Sequence, residues 1–259
     1  MLIALSIAGC KSEDDNKSPI NHNQNELTLI NSATTNEGSM VVNLFAEKAP
    51  KDQYTKIYLE IKDQTSNQII ENADVTILPI MDMGEMMHHA PVENPGQAAV
   101  NGFFEGAVVY TMSGEWQLEV NIYNPQADVS ETAMLTLDVL QAEPTRTHVV
   151  TPLNNGMPIV ISYLKPTAPK VGVNDFEITI HQENDDMTFS PVENFSVVMT
   201  PDMPSMGHGS PNNVNPTHSS NGHYNGKVNF TMTGLWRIQL EIYDGTTAID
   251  TTSYFDVNF

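Results

Sequence analysis

Cysteine and basic residues are both scarce in this chain. One Cys among 259 residues excludes a disulfide framework, an iron–sulfur cluster and a Cys-rich zinc site. Eleven Lys and Arg stand against 32 Asp and Glu, which gives a formal net charge of −21. Because a phosphate-binding face needs clustered cations, this balance disfavours nucleic acid and anionic membrane surfaces as partners. The 40% of hydrophobic and 17% of charged residues indicate a folded protein with a core.

The motifs of common enzyme classes are also missing from the sequence. It contains no phosphate-binding glycine loop, no nucleophile elbow and no HExxH helix. The many carboxylates are expected on solvent-exposed faces of the β-strands, and no pattern distinguishes one of them as a general acid or base. No clustered Asp/Asn loop of the EF-hand type indicates a calcium site. We therefore expect the protein not to be an enzyme.

The N-terminal residues 1–10 are apolar and end in small residues followed by Cys10. They resemble a bacterial lipobox, whose cysteine is lipidated; the usual positive segment is missing, so we expect the translation start upstream. Residues 11–37 are rich in Asn, Ser, Asp and Glu without periodicity, which predicts a flexible tether. The lipid anchor would be the only membrane contact. We expect an outer-membrane protein of the bacterial envelope, exposed either to the periplasm or at the cell surface.

The rest of the chain is an internal repeat. Residues 114–123 recur without a gap as residues 234–243, and flanking positions match at the same offset. This period is too long for a solenoid and indicates two tandem globular modules. The sequence therefore predicts one β-sandwich repeat at residues 38–141 and a second at residues 154–259.

Each copy has the pattern of β-strands. Trp116, Leu118, Val120 and Ile122 alternate with polar residues, which is the period of a strand with one apolar face. We expect the turn at Gly114 to join this strand to the strand before it as a hairpin. About six strands per copy and no convincing helix predict an all-β protein, namely two tandem immunoglobulin-like β-sandwich domains after the flexible N-terminal tether. The two Trp residues are then core anchors.

Methionine and histidine concentrate in equivalent loops of the two copies. Half of the 14 Met residues lie in two short windows, and both windows contain the pattern Asp-Met-x-x-Met-x-His. Thioethers are soft, neutral donors that suit Cu(I) and bind zinc, calcium or magnesium poorly, and imidazole accepts either copper state. Two Met and one His within six residues can converge on one Cu(I) ion. The candidate metal ligands are Met83, Met86 and His88 in the first copy, and Met203, Met206, His208, His218 and His223 in the second.

His223 begins the strand after its loop, and we expect folding to return it to the base of that loop. The alternative is that a Met-rich loop folds onto the end of the sandwich as a small apolar cap. Asp82 and Asp202 are predicted to cap the turns rather than to bind a soft ion. The recurrence of the pattern with its His in both copies favours the metal interpretation.

The module resembles the YtkA-like family, which is related to FixH-like proteins. The resemblance rests on Met203-Pro204-Ser205-Met206-Gly207-His208 and on residues 230–236, which end in Gly-Leu-Trp. The first copy departs from the family pattern at Gly84, where the family has Pro, and at Phe104, where it has Tyr. The resemblance implies a small exported β-sandwich associated with copper handling.

Two functions follow as hypotheses. The first is a lipid-anchored envelope protein that binds copper, favoured as Cu(I), through its Met/His loops, and acts as a chaperone or tolerance factor beside other copper-handling envelope proteins. The second is a surface interaction module, an adhesin or assembly scaffold built from Ig-like domains, in which the loops serve packing or partner contacts.

Overall fold

The computed structural model describes residues 26–154 and 156–259, and these form an all-β structure. The predicted lipidation site Cys10 and residues 11–25 of the predicted tether lie outside the described residues. The strands of the first repeat are β1 (Thr28–Thr34), β2 (Met40–Ala46), β3 (Tyr54–Asp63), β4 (Asp74–Asp82), β5 (Met87–His89), β6 (Val92–Glu93), β7 (Phe104–Val109), β8 (Gly114–Asn124) and β9 (Val129–Val139). Those of the second repeat are β10 (Thr147–Val150), β11 (Ile159–Lys165), β12 (Gly172–Glu183), β13 (Phe189–Pro191), β14 (Ser196–Met203), β15 (His208–Gly209), β16 (Val214–Ser220), β17 (His223–Phe230), β18 (Leu235–Asp244), β19 (Thr247–Asp250) and β20 (Tyr254–Asn258).

Each repeat contains two antiparallel sheets. The first repeat has the strand orders β1-β2-β3-β7-β6 and β5-β4-β8-β9. The second has β10-β11-β12-β17-β16, where β13 also pairs with β12, and β15-β14-β18-β19, where β20 also pairs with β18. The two repeats therefore share one immunoglobulin-like sandwich plan, as the sequence predicts.

Alternating apolar residues fill the space between the sheets of each repeat. Trp116, Leu118 and Val120 of β8 are fully buried, as are Trp236 and Ile238 of β18. The indole Nε1 of each Trp donates to the carbonyl oxygen of the Met four residues earlier, at 3.0 Å in the first repeat and 2.9 Å in the second. The sequence assignment of both Trp side chains to the core is correct.

The expected hairpin at Gly114 is wrong, because β7 and β8 belong to different sheets. The turn carries the chain from one sheet across to the other, and β7 already ends at Val109. Gly114 and Gly234 have φ values of 133° and 129°. Only glycine adopts this backbone readily, which explains why both copies have Gly at the crossing.

Strand β1 falls within residues that the sequence assigns to the tether. It pairs antiparallel with β2, with Thr28 opposite Ala46, and a bulge interrupts the register between Leu29 and Asn31. Ile30 and Ala33 pack against the core of the first repeat. A bulged edge strand with few apolar residues has no clear period of two, so its sequence resembles a linker. Among the described residues, no helix has the length and apolar character needed to cross a membrane.

Candidate metal centre

The Met/His loop of the second repeat is a short β-hairpin at one end of its sandwich. Strand β14 ends at Met203, β15 begins at His208, and these two residues are paired across the hairpin. Paired residues on antiparallel strands project to the same face with Cβ atoms about 5 Å apart. Four residues form the turn, where the backbone NH groups of Met206 and Gly207 both donate to the carbonyl oxygen of Met203. The fold therefore brings one thioether and one imidazole side by side.

The two Met residues of this hairpin lie in different environments. Met203 is 3% exposed and belongs to the core, and a Cβ added to Gly234 would lie 3.0 Å from its Cε. Met206 is 60% exposed in the turn. The hairpin thus has one buried thioether beneath it and one that solvent or a partner protein can reach.

His208 packs its ring against the core Trp of the second repeat. The ring centroids of His208 and Trp236 are 5.8 Å apart in an edge-to-face arrangement. Nδ1 of His208 lies 3.0 Å from the carbonyl oxygen of Gly209. A carbonyl oxygen only accepts, so the neutral ring carries its proton on Nδ1 and has its lone pair on Nε2. Nε2 has no hydrogen-bond partner in residues 26–154 and 156–259, which leaves it available as a metal donor.

The equivalent hairpin of the first repeat is two residues longer. Met81 pairs with His88, as Met203 pairs with His208, and six residues separate them instead of four. A Cβ on Gly114 would lie 2.8 Å from Cε of Met81, which repeats the contact between Gly234 and Met203. Met81, and not Met83, is therefore the structural counterpart of Met203. The constant offset of 120 residues, which relates residues 114–123 to residues 234–243, does not hold for this strand.

The longer loop exposes its methionines. Met83, Met86 and Met87 are 56–62% exposed, whereas Met81 is buried. Oδ1 of Asp82 accepts from the NH of Gly84 at 2.7 Å, so Asp82 caps this turn as expected. Asp202 has a different role, because its Oδ1 accepts from Nε2 of Gln239 across β14 and β18.

His218 and His223 lie far from the second hairpin. His223 begins β17, whereas Gly234 beside the hairpin follows the other end of that strand. Eight residues of strand extend over about 25 Å, so the expected return of His223 to the base of the loop does not occur. His218 pairs with Tyr224 at the same distant end, with the two rings 5.6 Å apart. The structure thus joins Met203, Met206 and His208 and separates both other His residues from them.

No cluster of three or more His, Cys, Asp or Glu side chains in the described ranges has the arrangement of a metal site. The second hairpin is of another kind, because two of its three donors are thioethers. Met232 also lies close by, since its carbonyl oxygen accepts from Nε1 of Trp236 and its side chain is exposed. Met232 is not among the ligands predicted from the sequence; its position two residues before Gly234 was the signal that places it at the hairpin end.

Comparison with protein families identifies the segment that contains this hairpin. Residues 141–241 match the model of the YtkA-like family. This segment is YtkA-like. The predicted family is therefore confirmed for a segment that begins just before β10 and ends within β18. No curated protein matches the chain.

Solved structures resemble the chain only weakly. Domains 5–6 of the S-layer protein SbsC align over 89% of this chain and 96% of their own length, with 15% identity and a TM-score of 0.31. FdeC, an Escherichia coli adhesin, aligns over 90% of this chain and 66% of its own, with 15% identity and a TM-score of 0.28. Parabacteroides merdae β-glucuronidase aligns over 82% of this chain and 22% of its own, with 7% identity and a TM-score of 0.25. Scores this low support no argument about the present chain.

His223 of the YtkA-like segment links the two repeats. Its Nδ1 is 2.7 Å from Oε1 of Glu177 in β12, and its Nε2 is 2.7 Å from Oε1 of Glu93 in β6. Tyr54 of the first repeat donates from its hydroxyl to Glu93 and from its backbone NH to Ser162 Oγ of the second. Lys165 completes the group with a 2.7 Å ion pair to Glu177. The junction is a hydrogen-bonded network of charged groups with one carboxylate from each repeat.

These contacts shift the pKa values of the junction groups. Burial opposes protonation of His223, but the hydrogen bonds to Glu177 and Glu93 outweigh it and raise the pKa of His223 to about 9. The hydrogen bond from His223, opposed by burial and aided by Lys165, lowers the pKa of Glu177 to about 2. Burial lowers the pKa of the neighbouring His181 to about 4. At neutral pH His223 is therefore an imidazolium with both ring nitrogens engaged by carboxylates, which disfavours it as a metal donor.

Proposed function

We propose that this chain is an envelope protein that binds copper as Cu(I) through the hairpin of its YtkA-like segment. The observation that carries the proposal is the cross-strand pair of Met203 and His208 with Met206 in the turn between them. Neutral thioether and imidazole donors fit a soft monovalent ion and give little affinity for calcium, magnesium or zinc.

The state of His208 supports the proposal. Its Nδ1 is engaged with the carbonyl oxygen of Gly209, which orients the ring and places the lone pair on Nε2. Such an outer contact to the second ring nitrogen is typical of metal-ligating His residues. The ring also packs on Trp236, so binding at Nε2 would not require the imidazole to be ordered first.

Exposure of Met206 favours a transfer role over permanent storage. A metal ligand in the turn can be replaced by a ligand from a partner protein while Met203 and His208 remain bound to the ion. We propose such ligand exchange with copper-handling envelope proteins, as a chaperone or tolerance factor. The first hairpin, with Met81 beneath His88 and with Met83 and Met86 in the longer loop, is the second candidate site.

We further propose that lipidated Cys10 anchors the protein to a membrane, most simply the outer membrane. Both repeats would then fold in the aqueous phase beside it. The proposal assigns no catalytic step to the chain. The net charge of −21 would attract cations in general without selecting copper.

A Cu(I) competition titration tests the proposal. The full chain is used with Cys10→Ser, because a free thiolate would itself bind Cu(I), and a chromogenic Cu(I) chelator competes under reducing conditions. His208→Ala and Met206→Leu should each weaken binding by about tenfold or more, the equivalent of one lost ligand. Met187→Leu is the matched control, because Met187 is equally a turn methionine of the second repeat and is exposed.

Two results would contradict the copper proposal. One is the absence of competition at any chelator ratio. The other is equal weakening by Met187→Leu and Met206→Leu, which would mean that copper binds exposed methionines without a site. Either result would favour the alternative function, a surface interaction module in which the hairpins contact a partner.

A further inference from the structure

The few basic residues of this acidic chain are gathered in one place. Of the eleven Lys and Arg residues, Lys11 and Lys17 lie outside the described residues. Six of the remaining nine line two neighbouring clefts, one between the repeats and one on the second repeat, namely Lys48, Lys56, Arg146, Lys165, Lys170 and Lys227. Only Glu47 and Asp175 among the lining residues are acidic. The clefts are thus a positive region on a protein whose net charge is −21.

The two clefts adjoin each other and together are named the basic groove. The first has a volume of about 410 Å³, with Lys48 and Lys56 contributed by the first repeat and Arg146 by the second. The second cleft has a volume of about 300 Å³ and lies entirely on the second repeat. Lys165 and Thr167 line both clefts, so a ligand that bound in both would lie across these two residues.

Four of these six cations are not neutralised by a described carboxylate. Lys165 pairs with Glu177, and Lys227 pairs with Asp175. Lys48, Lys56 and Lys170 have no ion pair with any described residue. The guanidinium of Arg146 lies over the Tyr163 ring, 4.3 Å from its centroid, and is the fourth cation without a carboxylate there. Like charges held together in concave surroundings create a potential that attracts anions.

We propose that this groove binds an acidic oligosaccharide. Five of its six cations are Lys, whose compact ammonium suits separate carboxylates better than planar, bidentate groups. Its only aromatic lining residues are Tyr54 and Tyr163, and Tyr163 is buried beneath Arg146. Single-stranded nucleic acids need exposed aromatic platforms for their bases, and the described part of the groove offers none. A flexible chain with one carboxylate per sugar offers separate charges to the separate Lys ammonium groups.

The test uses hexagalacturonate as the probe and the full chain, with binding followed by titration calorimetry at low and at physiological ionic strength. Binding is expected at low salt and should weaken as salt rises, because the attraction is electrostatic. Lys56→Glu combined with Lys170→Glu should weaken it by tenfold or more. Lys62→Glu is the control, because Lys62 lies on the same strand as Lys56, pairs with Glu60 and does not line the groove.

Two further probes decide the ligand class: maltohexaose, which has the same length without charge, and an oligothymidine with the same number of charges. The proposal requires that maltohexaose fail to bind and that the oligothymidine bind more weakly than hexagalacturonate. It is overturned if hexagalacturonate does not bind at low salt, or if Lys62→Glu weakens binding as much as the double variant. Equal or tighter binding of the oligothymidine also overturns it, in favour of a nucleic acid. An unchanged unfolding temperature of each variant shows that the fold is intact.

Discussion

The two Met/His hairpins of this protein have the same plan and different surroundings. Each places a buried Met opposite a His across a hairpin and beside the Gly where the chain crosses between sheets. The first hairpin has one further residue pair, Asp82 with Met87, before its four-residue turn, and it is followed at once by β6, whose Glu93 bonds to the second repeat. In the second, the four-residue turn follows Met203 directly, and the next strand, β16, makes no hydrogen bond to the described part of the first repeat. The duplicated hairpin thus occurs in two settings: one copy leads into the junction between the repeats, and the other does not.

The buried methionines should produce the largest effects. Met203→Ala and Met81→Ala each remove a side chain that fills the core at the crossing glycine, so each should lower the free energy of unfolding by about 2–5 kcal/mol. Met83→Ala should change it by less than about 0.5 kcal/mol, because Met83 is exposed. Denaturant unfolding followed by Trp fluorescence measures this, since each repeat contains one buried Trp.

Replacing one Trp by Phe assigns the signal to one repeat, which is the control for this comparison. If Met83→Ala destabilised the first repeat as much as Met81→Ala, the constant offset of 120 would be right and the structural equivalence of Met81 with Met203 would be wrong.

The junction should show the next largest effect, as a dependence of stability on pH. His223 has its pKa raised to about 9, so its contribution is complete below pH 6.5 and is lost as the pH rises through about 9. The pKa of Glu177 is lowered to about 2, so its contribution is present above pH 4.5 and is lost as the pH falls through about 2. The stabilising difference between the native chain and His223→Gln should therefore be greatest between pH 4.5 and 6.5 and disappear above pH 9.

Other titrating groups at the junction require controls. His181 has its pKa lowered to about 4, so its contribution is complete above pH 6.5 and declines toward pH 4, in both the native chain and His223→Gln. Glu93 and Tyr54 also contact His223, and Lys165 pairs with Glu177. Burial opposes ionisation of Glu93, but the hydrogen bonds from His223 and Tyr54 outweigh it and lower the pKa of Glu93. His148→Gln is the matched control, since His148 contacts only the second repeat. A difference that persists unchanged above pH 9 would exclude the charged bridge.

The sequence revealed most of the fold and only part of the site. The alternation around Trp116 and Trp236 predicts β8 and β18, because those strands bury one complete face. Strand β1 was missed because it is a bulged edge strand with little apolar surface. The sequence comparison paired Met83 with Met203, whereas the structure pairs Met81 with Met203. This error arose because the first hairpin is two residues longer and has Met at both positions, so the Met/His pattern still matched.

The contacts between the repeats were beyond the reach of sequence patterns. Glu93 and His223 are 130 residues apart, and neither lies in a motif that indicates pairing. The basic groove was missed for the same reason, since Lys48, Lys56 and Lys170 are scattered in sequence and only the docking of the repeats gathers them. The net negative charge disfavours anionic partners for the protein as a whole, whereas the fold gathers its few Lys and Arg residues in one region.

An exchange of turns should give the smallest effect and the sharpest comparison. Residues 82–87 are replaced by Pro-Ser-Met-Gly, the turn of the second hairpin, in a chain that also carries Cys10→Ser and His208→Ala. The exchange shortens the segment between Met81 and His88 from six residues to four and removes the pair of Asp82 with Met87. Closing the shorter segment costs about 0.4 kcal/mol less in chain entropy, so the exchange should tighten Cu(I) binding by the first repeat at most about twofold. The reverse exchange should weaken the second repeat by the same factor. A gain of a hundredfold would contradict this account, because turn length alone would then not explain the difference, and the rigid Pro at position 204 would have to orient the donors before the ion binds.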